Sequence, residues 1–296
     1  MVVGPGISRR ELVGGAVAMT VGTLAGCRRV RPGDVEPGIA MAAVRHLAEV
    51  VGPRPGTAPS YFRAATWVEG QLERLGWKVS RQPFPVPGGL SWGEPVDAGD
   101  SVNVIAHRGD VRRGAPWLTI GAHLDTVPQS PGAEDNAAGV GVLLAVARAI
   151  TWRRTRLPVV LIAFGAEEPR GPTDDDHHYG SRAYVGRLGT AQHRSLRGMV
   201  SMDRVGVGNA VVIGSAEGGD PLRDELVAAA ERAGAPYVVE SGQRSSDHWS
   251  FVRDGLPGVR LGSTSYAAYH SSSDVASVVD PVQLERTARV VLSWVR

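Results

Sequence analysis

The segment 157-LPVVLIAFGAEEPRG-171 decides the reading of this chain. Six apolar residues between a proline and a glycine have the length and boundaries of a buried strand. Two adjacent glutamates, Glu167 and Glu168, follow almost at once. Carboxylates at the end of a buried strand are costly unless charge meets them. Neighbours on a regular strand also point to opposite faces. If both face one site, the chain must leave strand geometry around Gly165.

Outward from this segment, strand-like and helical patterns alternate. WKVSRQPFPV (77–86), SVNVIAHR (101–108), PWLTIGAH (116–123), GMVSMD (198–203), AVVIG (210–214), YVVES (237–241) and GVRLG (258–262) read as strands. IAMAAVRHLAEVVG (39–52), YFRAATWVEGQLERLG (61–76), NAAGVGVLLAVARAI (136–150), SRAYVGRL (181–188), DPLRDELVAAAERAG (220–234) and PVQLERTARVVLSWV (281–295) read as helices. Alternation of this kind predicts an α/β fold: three αβα layers around a mostly parallel central mixed sheet. The Pro/Gly-rich stretch 84–99 reads as a long connection or excursion, not a domain boundary. The expected organisation is one domain over 37–296, preceded by a linker at 28–36 and a leader at 1–27.

The leader carries Arg9-Arg10 in SRREL, an uncharged stretch from Leu12 to Ala25, and LAGC ending at Cys27. The stretch suits a signal peptide and is too short to span a bilayer. SRREL resembles a twin-arginine export signal, and LAGC resembles a lipobox whose cysteine becomes diacylated. Two acyl chains suffice for stable anchoring. The expectation is an exported protein, either a cell-envelope lipoprotein or secreted, touching the membrane through lipidated Cys27 only. RRVR (28–31) opposes threading by the general route and favours twin-arginine export.

The 296 residues are 43% hydrophobic and 21% charged, with formal net charge +2. That excludes disorder and allows a sizeable core. Lys78 is the only lysine, and the arginines are scattered without an aromatic-interleaved basic stripe. Nucleic acid is therefore not an expected partner. With Cys27 the only cysteine, no intrachain disulfide and no thiolate cage can form. Any metal must be held by nitrogen and oxygen.

Ligands of such sheets gather beyond the carboxyl ends of the strands. His123 and Asp125 follow PWLTIGA there, Glu167 and Glu168 follow PVVLIAF, and Asp203 ends GMVSM. His270 lies in the loop after GVRLG, and Asp135 stands at the start of the NAAGVGVLL helix. A lone Glu pair is usually a solvated feature, and an Asp before a helix is usually a cap. Their coincidence at strand ends points to a metal centre.

HLDTV, GAEDNAAGVGVLLAVARAI, FGAEEPRGP with GSRAYV, SMDRVG, SDHWSF and YHSSSD, in this order, resemble the M28 family of zinc aminopeptidases. The resemblance runs from about residue 40 to the C-terminus and implies the zinc-dependent exopeptidase fold and two Zn²⁺ per chain. It makes Asp135 the bridging carboxylate, His123 and Asp203 ligands of one ion, and Glu168 and His270 ligands of the other. Glu167 becomes the general base, Asp125 the carboxylate that fixes the His123 imidazole, and Tyr269 a hydrogen-bond donor to the oxyanion. It also implies a cis peptide after Asp135. A carboxylate can offer one oxygen to each of two ions, and a positioned glutamate can move a water's proton to a leaving amine. The expected substrate is a peptide cleaved at its N-terminus by a monomeric enzyme. Two rivals share the fold: a single-zinc glutaminyl cyclase, and a non-catalytic peptidase-like binding domain.

Other residues receive structural expectations. TDDDHH (173–178) reads as a solvated loop, and Asp247-His248 as lining of the substrate pocket. His46, His107 and His193 read as structural or surface residues.

Overall fold

The structure, a computed structural model, describes residues 30–31, 33–108 and 114–296. The leader expected at 1–27, including SRREL and LAGC, lies outside the described residues.

The chain opens with helix α1 (Pro37–Arg45), which widens into one looser turn (His46–Val51) and stops at Gly52, followed by α2 (Pro59–Arg74). Then come β1 (Lys78–Val86), the short β2 (Gly89–Ser91) and β3 (Glu94–Val96), β4 (Gly99–His107) and β5 (Trp117–His123). An irregular turn (Ala133–Ala138) leads into α3 (Gly139–Thr151), and β6 (Val159–Phe164) precedes α4 (Tyr179–Val185) and α5 (Thr190–Ser195). The remainder is β7 (Leu196–Met202), β8 (Val211–Ser215), α6 (Pro221–Ala233), β9 (Tyr237–Ser241), α7 (His248–Arg253), β10 (Gly258–Gly262) and α8 (Pro281–Val295).

Eight strands form one sheet in the order β1-β4-β6-β5-β7-β10-β8-β9. The four central strands, β6, β5, β7 and β10, run parallel, while β1 and β4 join one side antiparallel and β8 pairs antiparallel with β10 on the other. The expected three-layer αβα architecture is therefore present, with four parallel strands at the centre and a further parallel pair, β8 and β9, at one edge.

The apolar run that opened the reading explains the layering. Val159, Leu161 and Ala163 of β6 join the larger core cluster, which holds α1, α2, α3, α6 and α8 against one face of the sheet. Val160, Ile162 and Phe164 join a second cluster with Tyr184, Val185 and Phe251 from α4 and α7 on the other face. Successive side chains of a strand alternate between faces, so a strand covered on both sides is apolar throughout.

The sequence does not announce every element. Within the excursion at 84–99, β2 and β3 form a separate two-stranded hairpin. Strands of three residues are too short to show alternation among prolines and glycines. Helices α5 and α7 were also not expected, each being only six residues long.

Candidate metal centre

The parallel strands deliver their C-terminal ends to one edge. His123 is the last residue of β5, and Leu124 N–H donates to Phe164 O at the end of β6 (2.8 Å), which keeps the two ends level. Asp203 follows β7 directly, and its N–H donates to Leu261 O of β10 (3.0 Å).

Beyond Phe164 the backbone changes course within two residues. A Cβ on Gly165 would lie 2.4 Å from Tyr61 Oη and 2.7 Å from Val102 O, so only glycine fits there. The strand ends at Phe164, as a break around Gly165 requires, and the left-handed step follows at Ala166, whose φ is +51°. That left-handed step carries Glu167 and Glu168 off the strand. Both their N–H groups then donate to one carboxylate, Glu167 to Asp125 Oδ1 (3.0 Å) and Glu168 to Asp125 Oδ2 (3.1 Å).

Asp125 thus clasps the backbone of the glutamate pair. Its link to His123 is different from the expected one: His123 Nδ1 lies 3.2 Å from the Asp125 main-chain oxygen and 3.8 Å from its carboxylate.

Asp135 lies in the irregular turn before α3, and the Asp135–Asn136 peptide is cis, as the resemblance implied. The turn is held from outside. Asp274 accepts the N–H groups of Glu134 (2.8 Å) and Asp135 (3.1 Å), and Asn136 Nδ2 donates to Met202 O (2.8 Å). The two oxygens of Asp135 then face different imidazoles: Oδ1 is 3.1 Å from His123 Nε2, and Oδ2 is 3.1 Å from His270 Nε2. Asp203 Oδ1 lies 3.7 Å from His123 Nε2, and Glu168 Oε1 lies 3.4 Å from His270 Nε2.

All five expected ligands are brought together. His123, Asp135 and Asp203 offer ligand atoms within 4.8 Å of one another, as do Asp135, Glu168 and His270. A third such group, His123 with Glu167 and Glu168, joins the two. A set of imidazole nitrogens and carboxylate oxygens without thiolate suits a divalent ion such as zinc.

Charge within the centre is tightly balanced. Burial pushes Glu167 up to about 8, with the charge of His123 pulling against it, and burial likewise pushes Glu168 up to about 8 against His270. Burial opposes protonation of His270, but Glu168 and Asp135 prevail and raise it to about 10. His123 is raised in the same way by Glu167, Asp135 and Asp203. Asp203 is held well below the usual range despite burial, chiefly by Arg260, whose Nη2 donates to Asp203 O at 2.8 Å. Ligands that carry protons in the empty protein must release them when a cation binds.

Several residues of the centre escaped the sequence reading. His178 Nε2 lies 3.2 Å from Glu167 Oε1, so the end of the TDDDHH loop belongs to the site. The rest of that loop is tied to itself and its surroundings: Asp176 accepts from Thr173, and Asp175 pairs with Arg253. Arg54 is fully buried. It donates to Leu124 O (2.6 Å), Leu47 O (3.2 Å), Gly52 O (3.2 Å), Pro131 O (2.7 Å) and Gly132 O (3.0 Å), pinning the loop that joins Asp125 to Asp135. Such contacts span long sequence separations and leave no local pattern.

A cleft of about 360 Å³ opens over the centre. Glu167, Glu168 and His270 form its floor, and Trp92, Pro169 and Tyr269 its apolar wall. Tyr269 stacks on His270 with ring centroids 3.7 Å apart, and the Arg204 guanidinium lies 4.7 Å from the Tyr269 ring. Asp247 and His248 are fully buried beneath the cleft and do not line it. His46 stacks on Trp67 and His193 pairs with Asp254, both remote from the centre, and His107 ends β4.

Comparison with known proteins gives the family and the fold. Leupeptin-inactivating enzyme 1 of Streptomyces exfoliatus is 26% identical over 302 residues, covering 90% of this chain and 64% of that protein. The uncharacterized protein YfbL of Escherichia coli is 28% identical over 172 residues, covering 55% of this chain and 48% of its own. The chain therefore spans about half to two thirds of the length of these relatives. Among solved structures, the zinc aminopeptidase BSAP of Bacillus subtilis superposes with a TM-score of 0.79 at 16% identity, covering 90% of this chain and 96% of that one. Porphyromonas gingivalis glutaminyl cyclase superposes with a TM-score of 0.76 at 19% identity, covering 89% and 99%. The profile of peptidase family M28 matches residues 103–295, from the middle of β4 to the end of α8, and the chain belongs to that family.

Proposed function

We propose that this chain is a metallo-exopeptidase that removes N-terminal residues from peptides with two zinc ions in the centre. The observation that carries the reading is the division of Asp135. Each of its oxygens faces one imidazole, and each imidazole has one further carboxylate beside it. Two equivalent half-sites sharing a carboxylate are what a pair of co-catalytic cations requires. The same observation favours two ions over the single zinc of a glutaminyl cyclase. The presence of every ligand type argues against a non-catalytic binding domain.

Asp135 would bridge the ions, with His123 and Asp203 on one and Glu168 and His270 on the other. Bound there, zinc supplies positive charge that polarises a peptide carbonyl and acidifies a water. The protein's own part is proton movement and orientation. Glu167 is buried beside the candidate ligands, and cations bound there would favour its ionised form, so its carboxylate can accept a proton from water and return it to the leaving amine nitrogen. Asp125 fixes the backbone of Glu167 and Glu168 together, which sets the base at a constant distance from the ligand beside it. Tyr269, half-exposed on the cleft wall, is the candidate donor to the carbonyl oxygen as it gains charge.

The domain doing this work is residues 37–296, acting as a monomer. The order of charge, uncharged stretch and cysteine in 1–27 supports export and lipid anchoring. No helix among the described residues is long and apolar enough to cross a membrane.

The test combines metal and base. Chelation should abolish hydrolysis of unblocked aminoacyl substrates, and zinc should restore it with two ions per chain. Glu167→Gln should bind the same zinc and lose a factor of about 10² to 10⁴ in kcat. Hydrolysis that survives both treatments overturns the reading, and pyroglutamate release with one zinc per chain assigns the cyclase reaction instead.

A further inference from the structure

The β2–β3 hairpin hangs an indole over the metal centre. Ser91 pairs with Glu94, so Trp92 and Gly93 alone make the turn, with φ of +49° and +89°. A two-residue turn with both central residues left-handed is of type I′, which selects Asn, Asp or Gly because L side chains resist that region. Tryptophan is a poor occupant of it. Its apolar surface is not hidden in compensation, since Trp92 is 56% exposed. Unfavourable backbone under an exposed aromatic residue contributes little to folding, and such residues gather where a ligand is gripped.

The placement is rigid. Leu90 N–H donates to Arg170 O (3.1 Å), two residues beyond Glu168. A Cβ on Gly89 would lie 1.9 Å from that same oxygen, so the hairpin rests directly on the backbone of the glutamate loop. Arg170 Nη1 in turn donates to Asp97 O just past β3 (3.0 Å). The hairpin and the glutamate pair therefore move as one piece. The indole ring lies 4.4 Å from the His270 ring at 75° and 5.8 Å from the Tyr269 ring at 80°. The lining of the cleft also includes the polar Asp174, His177 and Arg244.

We propose that Trp92 is a specificity residue: its exposed indole is the platform for a large apolar or aromatic side chain next to the peptide bond being cleaved. The inference rests on the peptidase reading above. A peptide whose carbonyl reaches the floor between Glu167 and His270 passes beside this ring, and aromatic stacking there discriminates by size and polarisability.

The experiment compares zinc-loaded wild type, Trp92→Gly and Trp92→Phe on phenylalanyl, leucyl and alanyl p-nitroanilides. Thermal melting and zinc content are measured on each protein. Trp92→Gly suits a left-handed position, so it should melt no lower than wild type and bind the same zinc. Its phenylalanyl-to-alanyl ratio of kcat/KM should fall about tenfold, mainly through KM, and Trp92→Phe should recover most of the ratio. A second readout avoids turnover: in the Glu167→Gln background, calorimetric binding of Phe-Ala-Ala should weaken about tenfold when Trp92→Gly is added. An unchanged ratio in an active Trp92→Gly protein overturns the inference and leaves the peptidase reading standing. A lower melting point with lost zinc also overturns it, by making Trp92 a cover for His270. A wild-type protein that cleaves none of the substrates overturns the peptidase reading itself, and this inference with it.

Discussion

Replacing Asp125 with asparagine tests how the glutamate pair is held. Each oxygen of the Asp125 carboxylate accepts one backbone N–H, from Glu167 at 3.0 Å and Glu168 at 3.1 Å. Asparagine keeps one oxygen and turns an NH₂ group toward the other donor. Losing a charge-assisted bond costs about 2 kcal/mol, and leaving a buried N–H facing another donor costs about 2 kcal/mol more. Removing one negative charge from a site rich in carboxylates offsets about 1 kcal/mol of this. The metal-free variant should therefore unfold with about 3 kcal/mol less stability, a drop in Tm of roughly 6 to 10 °C for a domain of this size. Urea unfolding of chelated wild type and Asp125→Asn measures it directly. If Asp125 served mainly to orient the His123 ring across 3.8 Å, the chelated proteins would differ by less than about 1 kcal/mol and only zinc affinity would fall. That result would refute the clasp.

Two more outcomes follow from the centre. In the metal-free protein Glu167 and Glu168 sit near 8 and His270 near 10, against ordinary values of 4.5 and 6.5, so the folded state holds protons that the unfolded chain has released. Stability of the chelated protein should fall as pH rises from 7 to 9, and zinc affinity should rise over the same window as those protons are displaced; melting curves and calorimetry in two buffers check both, and a flat response contradicts the assignment. Gly165→Ala should cost about 3 kcal/mol in unfolding free energy and displace the glutamates, because the added methyl meets Tyr61 Oη and Val102 O at 2.4 and 2.7 Å; a variant as stable and as active as wild type would show that the bend tolerates a side chain.

The layers and the floor of the site were legible because their signals are local. YVVES and GVRLG coincide with β9 and β10, and PVQLERTARVVLSWV with α8, since apolar periodicity and turn residues mark both ends. The candidate ligands at the strand ends were legible because a parallel sheet sends every C-terminal end to one edge. Glu167 and Glu168 announced a break in strand geometry around Gly165, and the strand does end at Phe164 with a left-handed step at Ala166. What the sequence hid is non-local. Nothing in HH (177–178) says that the second histidine turns back to Glu167, and nothing in PRPG (53–56) says that Arg54 reaches residues 47, 124, 131 and 132. The hairpin at 89–96 escaped because its strands are three residues long.

Arg54 has a consequence for where this protein can be divided. The stretch that marks the family begins at residue 103, yet the guanidinium that braces the Asp125–Asp135 loop comes from residue 54. The hydroxyl that abuts Gly165 comes from residue 61, and the turn above His270 from residue 92. The family profile and the bracing of the centre thus cover different lengths of chain. A chimera joined at residue 103 would inherit every candidate ligand together with Asp125, Asp274 and Arg260, but would lose the Arg54 brace, the Tyr61 contact and the Trp92 turn.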